Sequence, residues 1–362
     1  MATTGSEPRR TPLSEIHPRL GARMVEFAGW WMPLQYSGIM QEARAVRKKM
    51  GMFDISHMGR LHLRGEGAVA ALERLTTNDV AALTDSAAQY SLLTTPQGGI
   101  LDDIIVYRLS ADHLLIVVNA ANADRDRAWI EQHLPASVSL EDATAQTAMI
   151  AVQGPKAVEM VSQLVSCNLV DLPRFHSTTC EWQGHPLFVA RTGYTGEDGV
   201  ELIVEASIAE PLWNVLRDAG ATPCGLGARD VLRIEAGYPL YGHELSEQVN
   251  PIEAGLGWVV SKTKQFIGSD VIQQVRQQGP ARKLVGLEVE GRMVARQGYP
   301  VQVNGQPVGE ITSGTFSPTL ERSIALAFLR TPYAKQGEEV QVDMRGRLVP
   351  ARVASRRFVS HV

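Results

Sequence analysis

Two adjacent carboxylates follow a pair of glycines in one short stretch, and they are the residues best placed to do chemistry. Residues 97–107 read QGGILDDIIVY, with Gly98 and Gly99 ahead of Asp102 and Asp103. Glycine permits a turn with positive φ, or a close approach of the backbone to a ligand. One interpretation of the stretch is therefore a ligand site in which one of the aspartates acts on the bound molecule.

The run that carries the aspartates is rich in β-branched and aromatic residues, which predicts a strand. Successive side chains alternate across a strand, so Asp102 and Asp103 should face opposite sides. One should point with Ile105 and Tyr107 into a packed layer, and the other to solvent or a sheet edge. A carboxylate at the mouth of an apolar site is costly unless it is paired or used. A hairpin turn with two solvated aspartates is the alternative, and this pattern alone leaves it open.

Other familiar chemistry is missing from the sequence. It contains no GxxxxGK[ST] phosphate loop, no dinucleotide fingerprint, no HExxH and no GxSxG. The histidines and cysteines form no close cluster, so no metal site is expected. His57, in DISHMG, is either functional or a hydrogen-bonded core histidine. Carboxylates, arginines and aromatics remain, a set that suits a planar, polar, organic ligand with protonatable nitrogens.

Composition excludes several partner classes. The chain has 362 residues and a net charge of −4, from 35 basic and 39 acidic residues. No basic stretch accumulates, so neither nucleic acid nor a membrane surface is expected as a partner. The three cysteines are scattered without CxxC spacing, which argues against a disulfide framework or a cysteine metal site. This usage suits a reducing compartment, and a cytoplasmic location is predicted.

The elements that must position these residues mix helices and strands without a βαβαβ alternation, which predicts an α+β protein. Residues 26–36 read as a buried loop, and Ser37 is predicted to cap a helix that runs to Met50. After about Gln278 the pattern changes to short β-type runs, with Asn304-Gly305 as a hairpin signal. We therefore predict two parts, residues 11–278 and an all-β barrel domain at 282–362.

Several stretches, taken in order, carry a family resemblance. They are KMGMFDISHMGRL, YSLLTTPQGGILDDIIVYR, ARTGYTGEDGVEL, GLGARDVLRIEAGYPLYG and GEITSGTFSPTL. Each is weak alone, but together they resemble the aminomethyltransferases, the T-proteins of glycine cleavage systems, over residues 11–358. The resemblance implies a three-domain cloverleaf around a central folate channel, made of two interleaved α/β domains and a C-terminal β-barrel.

The resemblance also implies an activity. The one-carbon unit of an aminomethyl-lipoyl group on H-protein would pass to tetrahydrofolate. The products would be 5,10-methylenetetrahydrofolate, ammonia and dihydrolipoyl H-protein, and no metal would take part. The alternative is a non-catalytic folate-binding module of the YgfZ iron–sulfur assembly type. That group carries KGCYxGQE where this chain has GYTGEDGVE, which argues against it.

Site residues follow from the family positions. The resemblance makes Asp103 the catalytic residue near folate N10 and leaves Asp102 structural. It makes Glu201 a ligand of the pterin donors, although a solvated strand face would give the same pattern. Arg233 becomes a ligand of pterin or carboxylate oxygens, against surface salt bridging for it and for Arg229, its neighbour one helical turn away.

Three further residues are predicted to line the folate site. Tyr90 and Tyr194 would pack on the pterin or aminobenzoyl ring, although ordinary core packing would explain them too. Asn119, at the end of the VVNAAN run, would contribute to the channel wall. Family members often end with a tyrosine that touches the folate, whereas this tail has none after Tyr333. Either Phe358 or His361 is the candidate replacement.

Overall fold

A computed structural model describes residues 7–359 and divides the chain into two compact units. The first unit contains the chain up to His62, Leu140–Gly193 and Glu197–Asp230. The second contains Leu63–Ser139, Tyr194–Gly196 and the chain from Val231 on. Each unit is thus assembled from discontinuous segments, because the chain passes between them more than once.

The helices and strands follow one another without a regular βαβ alternation, which is typical of an α+β protein. The helices are α1 (Ile16–Arg19), α2 (Ile39–Lys48), α3 (Ala68–Leu75), α4 (Ala123–Glu131), α5 (Ala157–Ser162), α6 (Ala209–Asp218), α7 (Leu226–Ala236) and α8 (Ser269–Gln278). The strands are β1 (Arg9–Arg10), β2 (Arg23–Phe27), β3 (Trp30–Gln35), β4 (Gly51–Asp54), β5 (Gly59–Arg64), β6 (Ala88–Thr94), β7 (Ile100–Ser110), β8 (His113–Val118), β9 (Ser139–Asp142), β10 (Thr147–Gln153), β11 (Ser177–Trp182), β12 (His185–Ala190), β13 (Gly199–Glu205), β14 (Thr222–Pro223), β15 (Arg282–Val289), β16 (Pro300–Val303), β17 (Gln306–Ser317), β18 (Arg322–Arg330), β19 (Glu339–Met344) and β20 (Arg347–Ala354).

The first unit is built on a six-stranded sheet in the order β11-β12-β13-β10-β4-β14. One face of the sheet buries an apolar core with α5 and α6, in which Trp213 is fully buried. Residues of β10 and β13 that face this core alternate with residues that face the other way, as the strand period of two requires. Ile150 and Leu202 lie on the core face, whereas Ala151 and its direct partner Glu201 lie on the opposite face.

The second unit holds an open sheet and a closed barrel. The sheet order is β6-β7-β8-β5-β9, and β5 and β9 are where the chain passes between the units. The barrel order is β15-β18-β17-β16-β19-β20, with every neighbouring pair antiparallel. Asn304 and Gly305, both with positive φ, form the tight turn between β16 and β17. The predicted α+β class and the C-terminal barrel are confirmed.

Two local predictions are wrong. Residues 26–36 are not a loop but belong to the hairpin of β2 and β3, because Ala28 and Gly29 take the positive-φ turn positions and Pro33 lies beside a bulge. Ser37 does not cap α2 either. The Glu42 carboxylate folds back and accepts the backbone N–H groups of Tyr36 (2.6 Å) and Gly38 (3.0 Å) instead. None of the described helices is long and apolar enough to cross a membrane.

The sequence argued against disulfides, and this prediction is wrong for one pair of cysteines. Cys167 and Cys180 are joined by a disulfide, with their Cα atoms 5.5 Å apart. Hydrogen bonds bring the two segments together: the Ser166 amide donates to the Glu181 carbonyl, and the Glu181 amide donates to Ser166 Oγ. Spacing along the chain could not reveal this pairing, and the cysteines therefore give no support to a reducing compartment. Cys224 is buried and free.

Candidate active site

The two glycines ahead of the aspartates are required by the turn that begins β7. Gly98 has φ +77°, a conformation that other residues adopt rarely. A Cβ atom on Gly99 would lie 1.8 Å from the carbonyl oxygen of Glu247, so only glycine allows that segment to approach so closely. The glycine pair thus brings the 247 segment against the start of the strand that carries both carboxylates.

Asp102 is the fully buried member of the pair. Its carboxylate accepts the backbone N–H of Asn119 (3.0 Å), the Asn119 side-chain amide (2.9 Å) and the Asn122 side-chain amide (2.6 Å). The sequence predicted that the aspartate apart from Ile105 and Tyr107 would face solvent or an edge, and this is wrong, because Asp102 has no exposure. Asp102 is therefore an internal anchor that orients two asparagines.

Asp103 lies on the other face of β7 and is partly buried. The Tyr90 hydroxyl donates to its Oδ2 at 3.0 Å, and the Asn119 amide donates to its Oδ1 at 2.8 Å. Burial raises the pKa of Asp103 to about 7, helped by the adjacent Asp102 charge and opposed by these two donors. A carboxyl group with this pKa can hold or release a proton at neutral pH, as a general acid or base must.

Two stacked aromatic pairs belong to the same unit as Asp103, and one of them contacts its carboxylate through Tyr90. Tyr90, whose hydroxyl bonds Asp103, stacks on Trp258 with ring centroids 5.9 Å apart and an interplanar angle of 19°. Trp258 is 70% exposed, which is unusual for a tryptophan and leaves a flat apolar face open. Tyr194 stacks on Tyr238, and its hydroxyl donates to the carbonyl of Pro239. Burial raises the pKa of Tyr90 well above its usual value, with Asp103 and Tyr194 adding to the shift, so Tyr90 remains a hydrogen-bond donor.

Arg233 has a different environment from the one its family position suggested. Its guanidinium donates to Glu244 Oε2 at 2.9 Å and to Ser313 Oγ at 2.8 Å. The Arg233 and Glu244 side chains are 2% and 0% exposed, so this is a buried ion pair rather than a surface salt bridge. A direct contact between Arg233 and a ligand therefore stays a prediction. What the structure shows is that Arg233 ties α7 to β17.

Glu201 belongs to the first unit and is 7% exposed. It lies on the sheet face away from the helices, and its direct neighbours on the two flanking strands are Ala151 and Ala190. These small side chains leave room beside the carboxylate. The Thr192 hydroxyl donates to Glu201 Oε2 at 2.6 Å and orients it. A solvated strand face is thereby excluded for Glu201, because the residue is buried.

His57 is buried, but it is not the hydrogen-bonded core histidine that the sequence allowed. Among the described residues, nothing bonds its Nδ1 atom. Burial lowers the pKa of His57 to about 4, and the nearby Arg229 and Arg60 add to the effect, so the ring is neutral near pH 7. Within residues 7–359, no group of three or more histidine, cysteine or acidic side chains could hold a metal ion.

One of the two candidate replacements for the missing C-terminal tyrosine, Phe358, lies within the described residues. Phe358 is partly buried and packs on the same apolar cluster as Tyr90. Its backbone N–H donates to the Glu235 carbonyl at 3.0 Å, which fixes the tail beside α7. His361, the other candidate, lies outside the described residues.

Of the predicted site residues, the structure brings Tyr90, Asp103 and Asn119 into one hydrogen-bonded group. Tyr194 is close enough to Tyr90 to influence its pKa. Sequence reasoning missed the supporting residues Asn122, Asp126, Thr192 and Trp258. Only Asn122 left a signal, since the NAAN spacing allows a turn in which Asn122 follows Asn119 by three residues.

Comparison with known proteins identifies the family. The family model described as the GCVT N-terminal domain matches residues 13–264. The glycine cleavage T-protein C-terminal barrel domain matches residues 282–360. The two matches together cover most of the chain and agree with the α+β part and the closed barrel seen in the structure.

Whole-chain relatives agree with the domain matches. An aminomethyltransferase of Synechococcus elongatus is 49% identical over 354 residues, covering 96% of this chain and 95% of the relative. One from Symbiobacterium thermophilum is 47% identical over 363 residues, covering 97% of each. The crystal structure of the glycine cleavage system aminomethyltransferase T of Bartonella henselae superposes with a TM-score of 0.92 at 34% identity, covering 97% of this chain and 98% of that one. The chain therefore belongs to the aminomethyltransferase family, the T-proteins of the glycine cleavage system.

Proposed function

We propose that this aminomethyltransferase takes the one-carbon unit of an aminomethyl-lipoyl group on H-protein and transfers it to tetrahydrofolate. The products would be 5,10-methylenetetrahydrofolate, ammonia and dihydrolipoyl H-protein. The observation that carries the proposal is the Asp103 carboxyl group, held between Tyr90 and Asn119 with a pKa of about 7. A family member that only bound folate would have no use for a titrating carboxylate at this point.

In this proposal Asp103 acts where positive charge develops. The folate N5 forms a bond to the methylene carbon while the bond from that carbon to the lipoyl sulfur breaks, and the N5 proton goes to the sulfur to give the dihydrolipoyl thiol. The amino group then takes up a proton and leaves as ammonia, so the one-carbon unit becomes a cationic iminium on N5, and a fixed carboxylate lowers the energy of that state. When N10 closes the ring, N10 loses a proton, and the ionised Asp103 is the group that accepts it. The Tyr90 and Asn119 donors hold the carboxylate oxygens in place while its charge changes.

The aromatic group beside Asp103 supplies a surface for the folate rings. Tyr90 and Trp258 present stacked faces, and Trp258 is the exposed one. Planar rings favour offset stacking on such faces. Tyr194 and Tyr238 offer a second stacked pair in the same unit. We propose that the aminobenzoyl and pterin rings of the folate stack on these aromatic faces.

Glu201 is proposed to recognise the pterin. A carboxylate accepts the 2-amino and N3–H donors of a pterin side by side, which matches the acceptor geometry of Glu201 oriented by Thr192. The direct neighbours of Glu201 on the flanking strands are Ala151 and Ala190, whose small side chains favour a planar ring beside the carboxylate. Arg233 keeps the proposed role of a ligand for folate oxygens, in addition to its ion pair with Glu244.

Further assignments concern the partner, the cofactor, the location and the domains. H-protein with its lipoyl arm is the proposed protein partner, and tetrahydrofolate is a substrate rather than a resident cofactor. We propose no metal and a cytoplasmic location. We also propose that residues 11–278 and 282–362 act as the folate-binding part and the barrel domain.

The decisive assay measures ammonia released from aminomethylated H-protein, with and without tetrahydrofolate. We expect folate-dependent release together with formation of 5,10-methylenetetrahydrofolate. Tight folate binding without release of ammonia would instead indicate a binding module of the YgfZ type. The matched control omits the aminomethyl group by supplying oxidised H-protein, which should release none.

A further inference from the structure

Two carboxyl groups lie fully buried beside each other where β7 meets α4. Asp102 belongs to β7 and Asp126 to α4, and both are 0% exposed. Asn122 and Asp126 are four residues apart on the helix, so their side chains lie on one face. Asn122 donates to Asp102 at 2.6 Å, and Asp126 lies close enough to Asp102 for the two carboxyl groups to share a hydrogen bond.

The supply of hydrogen-bond donors to the two groups is unequal. Asp102 accepts three N–H groups, two from Asn119 and one from Asn122. Among the described residues, no donor reaches either oxygen of Asp126. Arg125 Nε lies 3.6 Å from Asp126 Oδ1, beyond hydrogen-bond distance, and its Nη1 donates to Tyr241 and Glu247 instead.

Two adjacent buried carboxylates cannot both remain charged at low cost. Asp102 has the donors that stabilise a negative charge, and Asp126 does not, so the proton belongs on Asp126. A protonated carboxyl group also gains an O–H that it can donate. Burial and the Asp102 charge raise the pKa of Asp126 to about 10, in agreement with this assignment.

We propose that Asp126 is a positioning residue for the aminomethyl transfer: it stays protonated and donates its O–H to Asp102, which fixes the Asp102–Asn119–Asp103 hydrogen-bond chain. The proposal rests on the proposed function, because Asp126 acts through Asp103. With Asp126 neutral, Asp102 contributes the nearest negative charge beside Asp103. The remaining charged or titratable groups around the cluster are Tyr90, Arg125, Tyr241 and Glu247.

The first test compares Asp126→Leu and Asp126→Asn. Leucine keeps the bulk and removes the donor, so turnover should fall by roughly ten- to a hundredfold through misplacement of Asp103. The asparagine amide is neutral and still donates, so it should recover most of that loss. Asp124→Asn is the matched control, because Asp124 is exposed on the same helix and should leave turnover unchanged. Equal turnover of Asp126→Leu and wild type would overturn the proposal.

The second test is the pH profile of kcat/KM. If Asp126 is neutral, Asp126→Asn removes no charge, and the midpoint of the acid limb that Asp103 sets should stay where it is in the wild type. If Asp126 were ionised, the loss of its charge would lower that midpoint by about one pH unit or more. A shift of that size would overturn the proposal even if Asp126→Leu fails to fold.

The third test does not depend on turnover. Infrared difference spectra between the wild type and Asp126→Asn at pH 8 should show the carbonyl stretch of a protonated carboxyl group in the wild type only. Absence of that band would refute a neutral Asp126. Full turnover of Asp103→Asn with the band present would instead refute the catalytic assignment of Asp103, so the two failures are distinguishable.

Discussion

The molecule contains two buried aspartate sites that contrast with each other. In the first unit, Asp54 accepts hydrogen bonds from Thr11 Oγ1 (2.7 Å), His17 Nε2 (2.9 Å) and the Ser56 amide (2.9 Å). In the second unit, Asp103 accepts from Tyr90 and Asn119 and lies beside Asp102. Burial by itself raises the pKa of both aspartates.

The pKa values of the two aspartates move in opposite directions because their neighbouring groups differ. At Asp54 burial is outweighed by the bonds and charge of His17 and by the Ser56 and Thr11 bonds, and the pKa falls to about 2. At Asp103 the donors do not outweigh burial and the charge of Asp102, and the pKa rises to about 7. A carboxylate surrounded by donors is permanently ionised and holds the fold together. A carboxylate beside another carboxylate can exchange a proton near neutral pH, which suits catalysis.

The strongest test of this contrast is Asp103→Asn. The amide keeps the shape and removes both the charge and the basicity, so turnover at saturating tetrahydrofolate should fall by about 10²–10³-fold. Folate affinity should change little, and the melting temperature at neutral pH should rise, because the variant no longer carries the buried charge. The measurement is single-variant turnover in the ammonia-release assay beside a calorimetric folate titration. Turnover equal to that of the wild type would show that Asp103 is not the reacting carboxylate.

Asp54→Asn should lower stability and leave turnover unchanged, the opposite of Asp103→Asn. Removing the charge from a buried, fully bonded site leaves His17 without its ionised partner, at a cost of about 3 kcal/mol in the free energy of unfolding. Turnover per folded molecule should be unchanged. Urea unfolding measures the loss, and Asp85→Asn is the surface control, since the Asp85 side chain is 62% exposed. A large loss of turnover without a loss of stability would contradict the structural role.

The free energy of unfolding should depend on pH with opposite signs at the two sites. The folded pKa of Asp54 is below its unfolded value, so the stability that Asp54 adds is present above pH 4 and is lost as pH falls toward about 2. The folded pKa of Asp103 is above its unfolded value, so stability declines as pH rises from about 4 to about 7. Over the same interval kcat/KM should rise, because the ionised form is the active one.

Two variants test those signs. Asp103→Asn should remove the decline in stability between about pH 4 and 7, and Asp54→Asn should reduce the loss below pH 4. Unfolding free energies measured by urea titration across this range provide the comparison. A decline in the wild type that survives unaltered in Asp103→Asn would assign it to another group.

The smallest expected effect is on recognition by Glu201. Glu201→Gln replaces one acceptor oxygen by a donor, so it should weaken tetrahydrofolate binding by about tenfold, equivalent to about 1.4 kcal/mol, with little change in folding. Thr192→Val removes only the orienting hydroxyl and should have a smaller effect of the same sign. Glu205→Gln, on the same strand and exposed, is the control. Normal binding by Glu201→Gln would show that the pterin is recognised elsewhere.

Several features could be predicted from the sequence because they depend on local pattern. The β-branched run after the glycines is strand β7, and the short runs after Gln278 form the barrel, with Asn304-Gly305 at a turn. Period and turn chemistry act over a few residues, so one chain displays them directly. The ordered motifs likewise identified the aminomethyltransferase family, and the comparisons confirm it.

Other features were decided by tertiary structure alone. Tertiary structure decided which aspartate is fully buried and which carboxyl group lacks donors. It also decided where Arg233 finds Glu244 and Ser313, and how the chain turns to join Cys167 to Cys180. A side chain's pKa reflects the total of burial, charges and donors around it, and those neighbours come from several elements. For the same reason the alternation of side chains along β7 could not predict which role each aspartate has. Asp102 is held by three donors and anchors the site, whereas Asp103 can titrate near neutral pH.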